Sequence, residues 1–152
     1  MAEISKEDLI YIAGFFDGEG CVSILKRKDK HHTDFTYSLI ASIAQKNPSP
    51  LEEIINLFGF GKLHYLESTK NYSVLFAGKF ADDFLCQIIP YLRIKKDQAV
   101  LGIEFRKNTI RKIGKWESVG EEMVNLREEY YLKMKSMKKP HMLVENTSTN
   151  NY

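Results

Sequence analysis

The chain has 152 residues, 43% of them hydrophobic and 28% charged, with a formal net charge of +2. That length supports one domain with its own core, and the balance excludes disordered and fibrous classes. No apolar run reaches the ~18–20 residues of a membrane span, and the opening MAEISKEDL lacks an apolar signal core, so no membrane partner is expected.

Ser5 or Asp8 caps a first predicted helix that runs to about Gly18, with Leu9, Ile12, Ala13 and Phe16 at helical spacing. CVSILKRKDK then alternates as a strand, with Val22 and Ile24 on one face and Ser23, Leu25 and Arg27 on the other. After the polar loop KDKHHTD, FTYSLIASIAQK returns as a second strand. Tyr37, Leu39, Ala41 and Ile43 share one of its faces; Thr36, Ser38 and Ser42 share the other. Asn47-Pro48-Ser49-Pro50 starts a second helix, and Gly59 closes it. GKLHYLE and YSVLFAG form a second hairpin, in which Lys62, His64, Tyr72 and Val74 are assigned to the polar face. KFADDFLCQIIPYL is a third helix stopped by Pro90, and two more follow in KKDQAVLGIEFRKN and SVGEEMVNLREEYYLKMKSM.

Residues 1–139 therefore read as one α+β domain in the order αββαββα plus C-terminal helices, and residues 140–152 as a polar, flexible tail. Two hairpins make a four-stranded antiparallel sheet with helices on one face. The open face is polar, a form suited to a DNA groove. Charge is segregated along the chain. Residues 1–20 hold one Lys against five acids, −4, whereas residues 93–115 hold eight Lys/Arg against two acids, +6. A basic surface for a polyanion fits this pattern, as do solvated helix faces. Cys21 and Cys86 lack any metal-finger spacing, so a reducing compartment without disulfides is expected.

The first helix ends unusually. Gly14 and Gly18 lie one turn apart beside Ala13 and let a second helix approach closely, although room for a core residue and an ordinary helix stop also explain them. Asp17 and Glu19 stand at a C-terminus, where the helix dipole disfavours anions by about 0.3–1 kcal/mol. A divalent cation reverses that penalty, and helix-end carbonyls offer it more oxygens. The acid spacing does not match an EF-hand.

IAGFFDGEG, Ile12 to Gly20, resembles the signature of the LAGLIDADG homing endonucleases, with Glu19 at its last acidic position. The resemblance implies a saddle-shaped antiparallel sheet. It also implies that Glu19 and the Gly18 carbonyl hold metal, and that Asp17 ties the helix pair structurally. One signature per chain implies a homodimer through Ala13, Gly14, Asp17 and Gly18. Gln45 in AQK matches a family Gln that orders active-site water, and Lys95 in LRIKKDQA matches a basic residue that enters the active site. The family Arg beyond that Gln is missing, since NPSP follows Lys46; Arg93 and Lys46 are the candidate replacements.

The implied activity is Mg²⁺-dependent hydrolysis of both strands of a long, near-palindromic double-stranded DNA site, leaving short 3′ overhangs. Mn²⁺ is expected to substitute for Mg²⁺, and Ca²⁺ to bind without supporting cleavage. Base contacts fall to Ser23, Leu25, Arg27, Thr36, Ser38, Ser42, Lys62, His64, Tyr72 and Val74, with Arg27 suited to guanine. The competing readings are an intron maturase using RNA, a cleavage-inactive DNA-binding protein, and a small dimerisation domain. An organellar or prokaryotic host is expected, and the initial Met favours an intron-borne or stand-alone gene.

Overall fold

The structure is a computed structural model that describes residues 3–31, 35–110 and 120–138. Helix α1 (Lys6–Glu19) is capped by Ser5, whose hydroxyl oxygen accepts the Asp8 N–H at 3.1 Å, so of the two candidate caps it is Ser5 that serves. Strands β1 (Gly20–Lys28) and β2 (Phe35–Gln45) form the first hairpin. Helix α2 (Ser49–Phe58) ends at Gly59, whose left-handed φ of 73° lets its N–H close on the Ile55 carbonyl. Strands β3 (Leu63–Leu66) and β4 (Asn71–Ala77) form the second hairpin. Helix α3 (Lys79–Ile88) tightens into a 3-10 turn at Ile89–Tyr91 around Pro90. Helices α4 (Lys96–Thr109) and α5 (Glu121–Met137) complete the described chain; the tail predicted at 140–152 lies outside the described residues, as do His32 and Trp116.

The strands form one antiparallel sheet in the order β1-β2-β4-β3, with the hairpins joined through β2 and β4. This is the four-stranded α+β architecture the sequence predicts. One face is covered: Val22, Ile24, Leu39, Ala41, Ile43, Val74 and Phe76 are buried. Phe84 of α3 anchors that side, with ring centroids 4.6 Å from Phe76, 4.9 Å from Phe58 and 5.5 Å from Phe16. Such aromatic contacts contribute about 0.5–1.5 kcal/mol each beyond burial. Helix α4 lies so close to the sheet that a Cβ on Gly102 would stand 2.7 Å from Leu39 Cδ1.

Helix α5 runs beside β1. Met134 is buried, and Glu128 pairs with Lys26 at 2.7 Å while accepting the Tyr37 hydroxyl. Lys26 and then Tyr37 hold the Glu128 carboxyl below the usual glutamate range. Among the described residues no helix is long and apolar enough to cross a membrane.

Candidate active site and nucleic-acid interface

The passage from α1 into β1 fixes the site. Gly20 is extended, and its N–H caps the Phe16 carbonyl. A Cβ there would stand 2.3 Å from the Phe16 ring. Only glycine lets the chain turn this tightly over a buried aromatic, and the turn leaves Glu19 exposed at the last position of the helix.

Asp17 faces inward instead. Its carboxylate accepts the backbone N–H groups of Arg93, Lys95 and Ile94 at 2.8, 2.9 and 3.1 Å. The Lys95 ammonium in turn donates to the Asp17 carbonyl. Burial pushes the Asp17 carboxyl up, but the N–H groups of Lys95, Arg93 and Ile94, helped by the Lys95 charge, outweigh it and hold the group below its ordinary range. Asp17 thus ties α1 to the start of α4 within one chain. These bonds all lie within one chain; the dimer contact expected of Asp17 is not among them. Lys95 also supplies a cation at the α1 C-terminus, answering part of the dipole penalty without a metal.

Ala13 is corrected as well: it is fully buried in the chain's own core. Gly14 and Gly18 do face outward, and a Cβ on either would meet nothing within 4 Å. No crowding inside the chain requires glycine at these two positions. Ile10 and Tyr11, 48% and 54% exposed, add apolar surface to the helix beside them.

Gln45 ends β2 two positions beyond Ile43, the partner of Gly20, so it comes to the same end of the sheet as Glu19 and Lys95. Its side-chain oxygen accepts the Lys46 N–H at 2.7 Å. Arg93 and Lys46 are both exposed at this end. The oxygen donors of Glu19 and the helix end suit a hard divalent cation. One chain contributes a single free-standing carboxylate, and among the described residues no group of three His, Cys, Asp or Glu gathers to hold a metal. The donor chemistry fits such an ion as one half of a site.

The pairing register assigns the open face. Ser23 lies opposite Ile40, Leu25 opposite Ser38, and Arg27 opposite Thr36, so these predicted contact residues share the uncovered side. Ser42 pairs with Leu75 and His64 with Ser73 on the same side, and exposed Lys62 precedes His64 by one alternation. Val74 and Tyr72 do not belong there. Val74 is fully buried between Ile43 and Leu63, and Tyr72 packs on the covered side against Tyr65 with ring centroids 5.1 Å apart. The β4 assignment is therefore shifted by one residue: Ser73 and Leu75 face outward, Leu75 with 46% exposure. Alternation with buried Val74 and Phe76 is the signal that identifies them.

A family model described as LAGLIDADG endonuclease matches residues 12–98, more than half of the chain. The chain belongs to the LAGLIDADG endonuclease family. Over 100 residues it is 31% identical to DNA endonuclease I-CreI of Chlamydomonas reinhardtii, covering 64% of this chain and 61% of that one. It is 33% identical over 100 residues to reverse gyrase of Methanocaldococcus jannaschii, covering 63% of this chain and 6% of that protein. The match thus spans about three fifths of the first curated relative and a small part of the second. Among solved structures, an archaeal intron-encoded homing endonuclease complexed with DNA superposes with a TM-score of 0.74 at 18% identity, over 90% of this chain and 87% of that one. The homing endonuclease I-CvuI, in complex with its target in the presence of Ca, gives 0.72 at 17% identity over 91% and 87%. At these identities the superpositions show the shared LAGLIDADG fold, and this chain carries one copy of the signature.

Proposed function

We propose that the protein is a homodimeric, sequence-specific DNA endonuclease that depends on a divalent metal ion. The observation that carries this reading is the convergence of Lys95, Gln45 and exposed Glu19 on one sheet end, beside an outward α1 face with open space at Gly14 and Gly18. Two copies packed through that face bring their Glu19 carboxylates together over the duplex, which doubles the donors one chain offers. Each mid-helix glycine costs about 1 kcal/mol relative to alanine, and close packing of two α1 helices offsets that cost.

Glu19 and the Gly18 carbonyl would hold the cation; Mg²⁺ would be the natural occupant of an all-oxygen site, with Mn²⁺ as a substitute. When bound, such ions polarise the scissile phosphate and lower the pKa of attacking water. Gln45 orients that water through its side-chain amide. Lys95 sets positive charge beside the phosphate as negative charge develops there. The sheet face reads bases through Arg27, Thr36, Ser38 and His64, with Ser73 and Leu75 replacing Tyr72 and Val74 in that role. Symmetric halves predict an imperfectly palindromic target and short 3′ overhangs.

The test is incubation of the protein, with and without Mg²⁺, with duplex DNA joined from the sequences that flank its reading frame. Sequencing of the ends is expected to show both strands cut with 3′ overhangs only when Mg²⁺ is present. Intact duplex under all divalent ions contradicts the proposal.

A further inference from the structure

The far end of β2 holds a second charged feature. Strand β4 stops at Ala77, opposite Ile40, so β2 continues from Leu39 back to Phe35 without that neighbour. Gly78 N–H donates to the Leu39 carbonyl at 2.8 Å and closes the corner. The last turns of α4 and a segment of α5 cover this notch and leave a cleft of about 200 Å³ lined by Tyr37, Ser38, Thr109, Arg106 and Arg127.

Two guanidinium groups therefore border one small space. Arg106 Nε is buried and, among the described residues, has no hydrogen-bond partner. Arg127 gives an Nη2 hydrogen bond to the Thr109 carbonyl at 2.9 Å, which is neutral. Among the described residues the ion pairs are Lys26–Glu128 and Lys79–Asp83, so neither arginine has a carboxylate partner there. Burial, the larger effect, lowers the Arg127 pKa below the usual arginine range despite Tyr37 nearby. A buried donor left without an acceptor is unfavourable, more so when it carries charge, so an anion in this cleft would be stabilised by Arg106 and Arg127.

We propose that this cleft binds a phosphate group between Arg106 and Arg127. The planar fork of arginine matches phosphate oxygens bidentately, and two forks from different helices suit an anion with several oxygens. Tyr37 and Gln45 lie eight positions apart on β2, a span of ~27 Å at strand rise. The cleft is thus separate from the Glu19 end; a free phosphate there does not depend on the endonuclease reading, whereas a phosphate of bound DNA does. The phosphate comes either from the DNA backbone at the outer end of a bound duplex or from a free phosphate compound.

The probe is inorganic phosphate, added to the full chain at ionic strength matched with chloride and followed by calorimetric titration and thermal unfolding. Wild-type protein is expected to bind saturably and to melt at a higher temperature in phosphate. Arg106→Gln removes this response, and Arg127→Lys, which keeps charge but not the fork, weakens it at least several-fold. Circular dichroism verifies that both variants fold. An identical Tm in phosphate and chloride for wild type overturns the proposal, as does phosphate binding by folded Arg106→Gln equal to wild type. Duplex binding against salt separates the two sources. If the DNA backbone supplies the phosphate, the slope of log K against log salt becomes shallower by about 0.9 for each phosphate that Arg106→Gln leaves without a cation. With a free phosphate compound the slope is unchanged.

Discussion

Asp17 and Lys95 bind each other twice: the Asp17 carboxylate accepts the Lys95 backbone N–H at 2.9 Å, and the Lys95 ammonium reaches back to the Asp17 carbonyl. The acid that anchors α1 and the lysine proposed for the active site therefore form one unit. The position of Lys95 at the Glu19 end of the sheet depends on the acid two residues before Glu19.

Asp17→Asn is expected to lower stability by about 1–2 kcal/mol, since hydrogen bonds to a charged acceptor are lost but solvent screens a partly exposed group. It is also expected to reduce cleavage by releasing Lys95. Because the folded state holds the Asp17 carboxyl below its ordinary value of 3.8, the contribution is complete above pH 3.8 and is lost as pH falls through the folded value. Urea midpoints of wild type and variant, measured against pH, are expected to converge in acid and stay separated at neutral pH.

Gly14→Leu separates packing within the chain from pairing between chains. A side chain there enters open space, so the isolated subunit keeps its fold and gains up to about 1 kcal/mol of helix propensity. Sedimentation is expected to show dimers for wild type and monomers for the variant, with cleavage lost.

Gly20→Ala acts on the turn instead. The added Cβ collides with the Phe16 ring, and overpacking of this kind costs about 1–3 kcal/mol. Thermal unfolding is expected to report that loss, whereas Gly18→Ala, with nothing within 4 Å, leaves subunit stability near wild type.

The sheet register yields a paired comparison. Arg27→Ala is expected to relax base preference at one position of each half-site, worth about 1–3 kcal/mol, without changing stability. Val74→Ala does the reverse: it removes buried methyl groups at about 0.8 kcal/mol per carbon plus a cavity term, and leaves sequence preference intact. Urea unfolding and binding to half-site variants read the two effects separately.

Much of the fold is legible in the sequence. The Leu9–Phe16 periodicity, the alternation of Val22 and Ile24 with Ser23 and Leu25, and the Gly59 stop specify α1, β1 and the end of α2. Strand β4 reads out of register because exposed Leu75 interrupts the polar face that Ser73 begins, which blurs the alternation of Tyr72, Val74 and Phe76. Ala13 is ambiguous because small size suits a crowded core as well as a helix pair. The partners of Asp17 are 76–78 residues away in the chain, and Glu128 meets Tyr37 across 91. Local periodicity carries no information about such long-range pairs.

The most direct measurement compares wild type with Glu19→Gln on the same target duplex across an Mg²⁺ titration, with DNA affinity measured in parallel. The variant is expected to fold, dimerise and bind the duplex, yet to leave both strands intact at every Mg²⁺ concentration. Strand cleavage by Glu19→Gln at a rate near wild type would contradict that expectation.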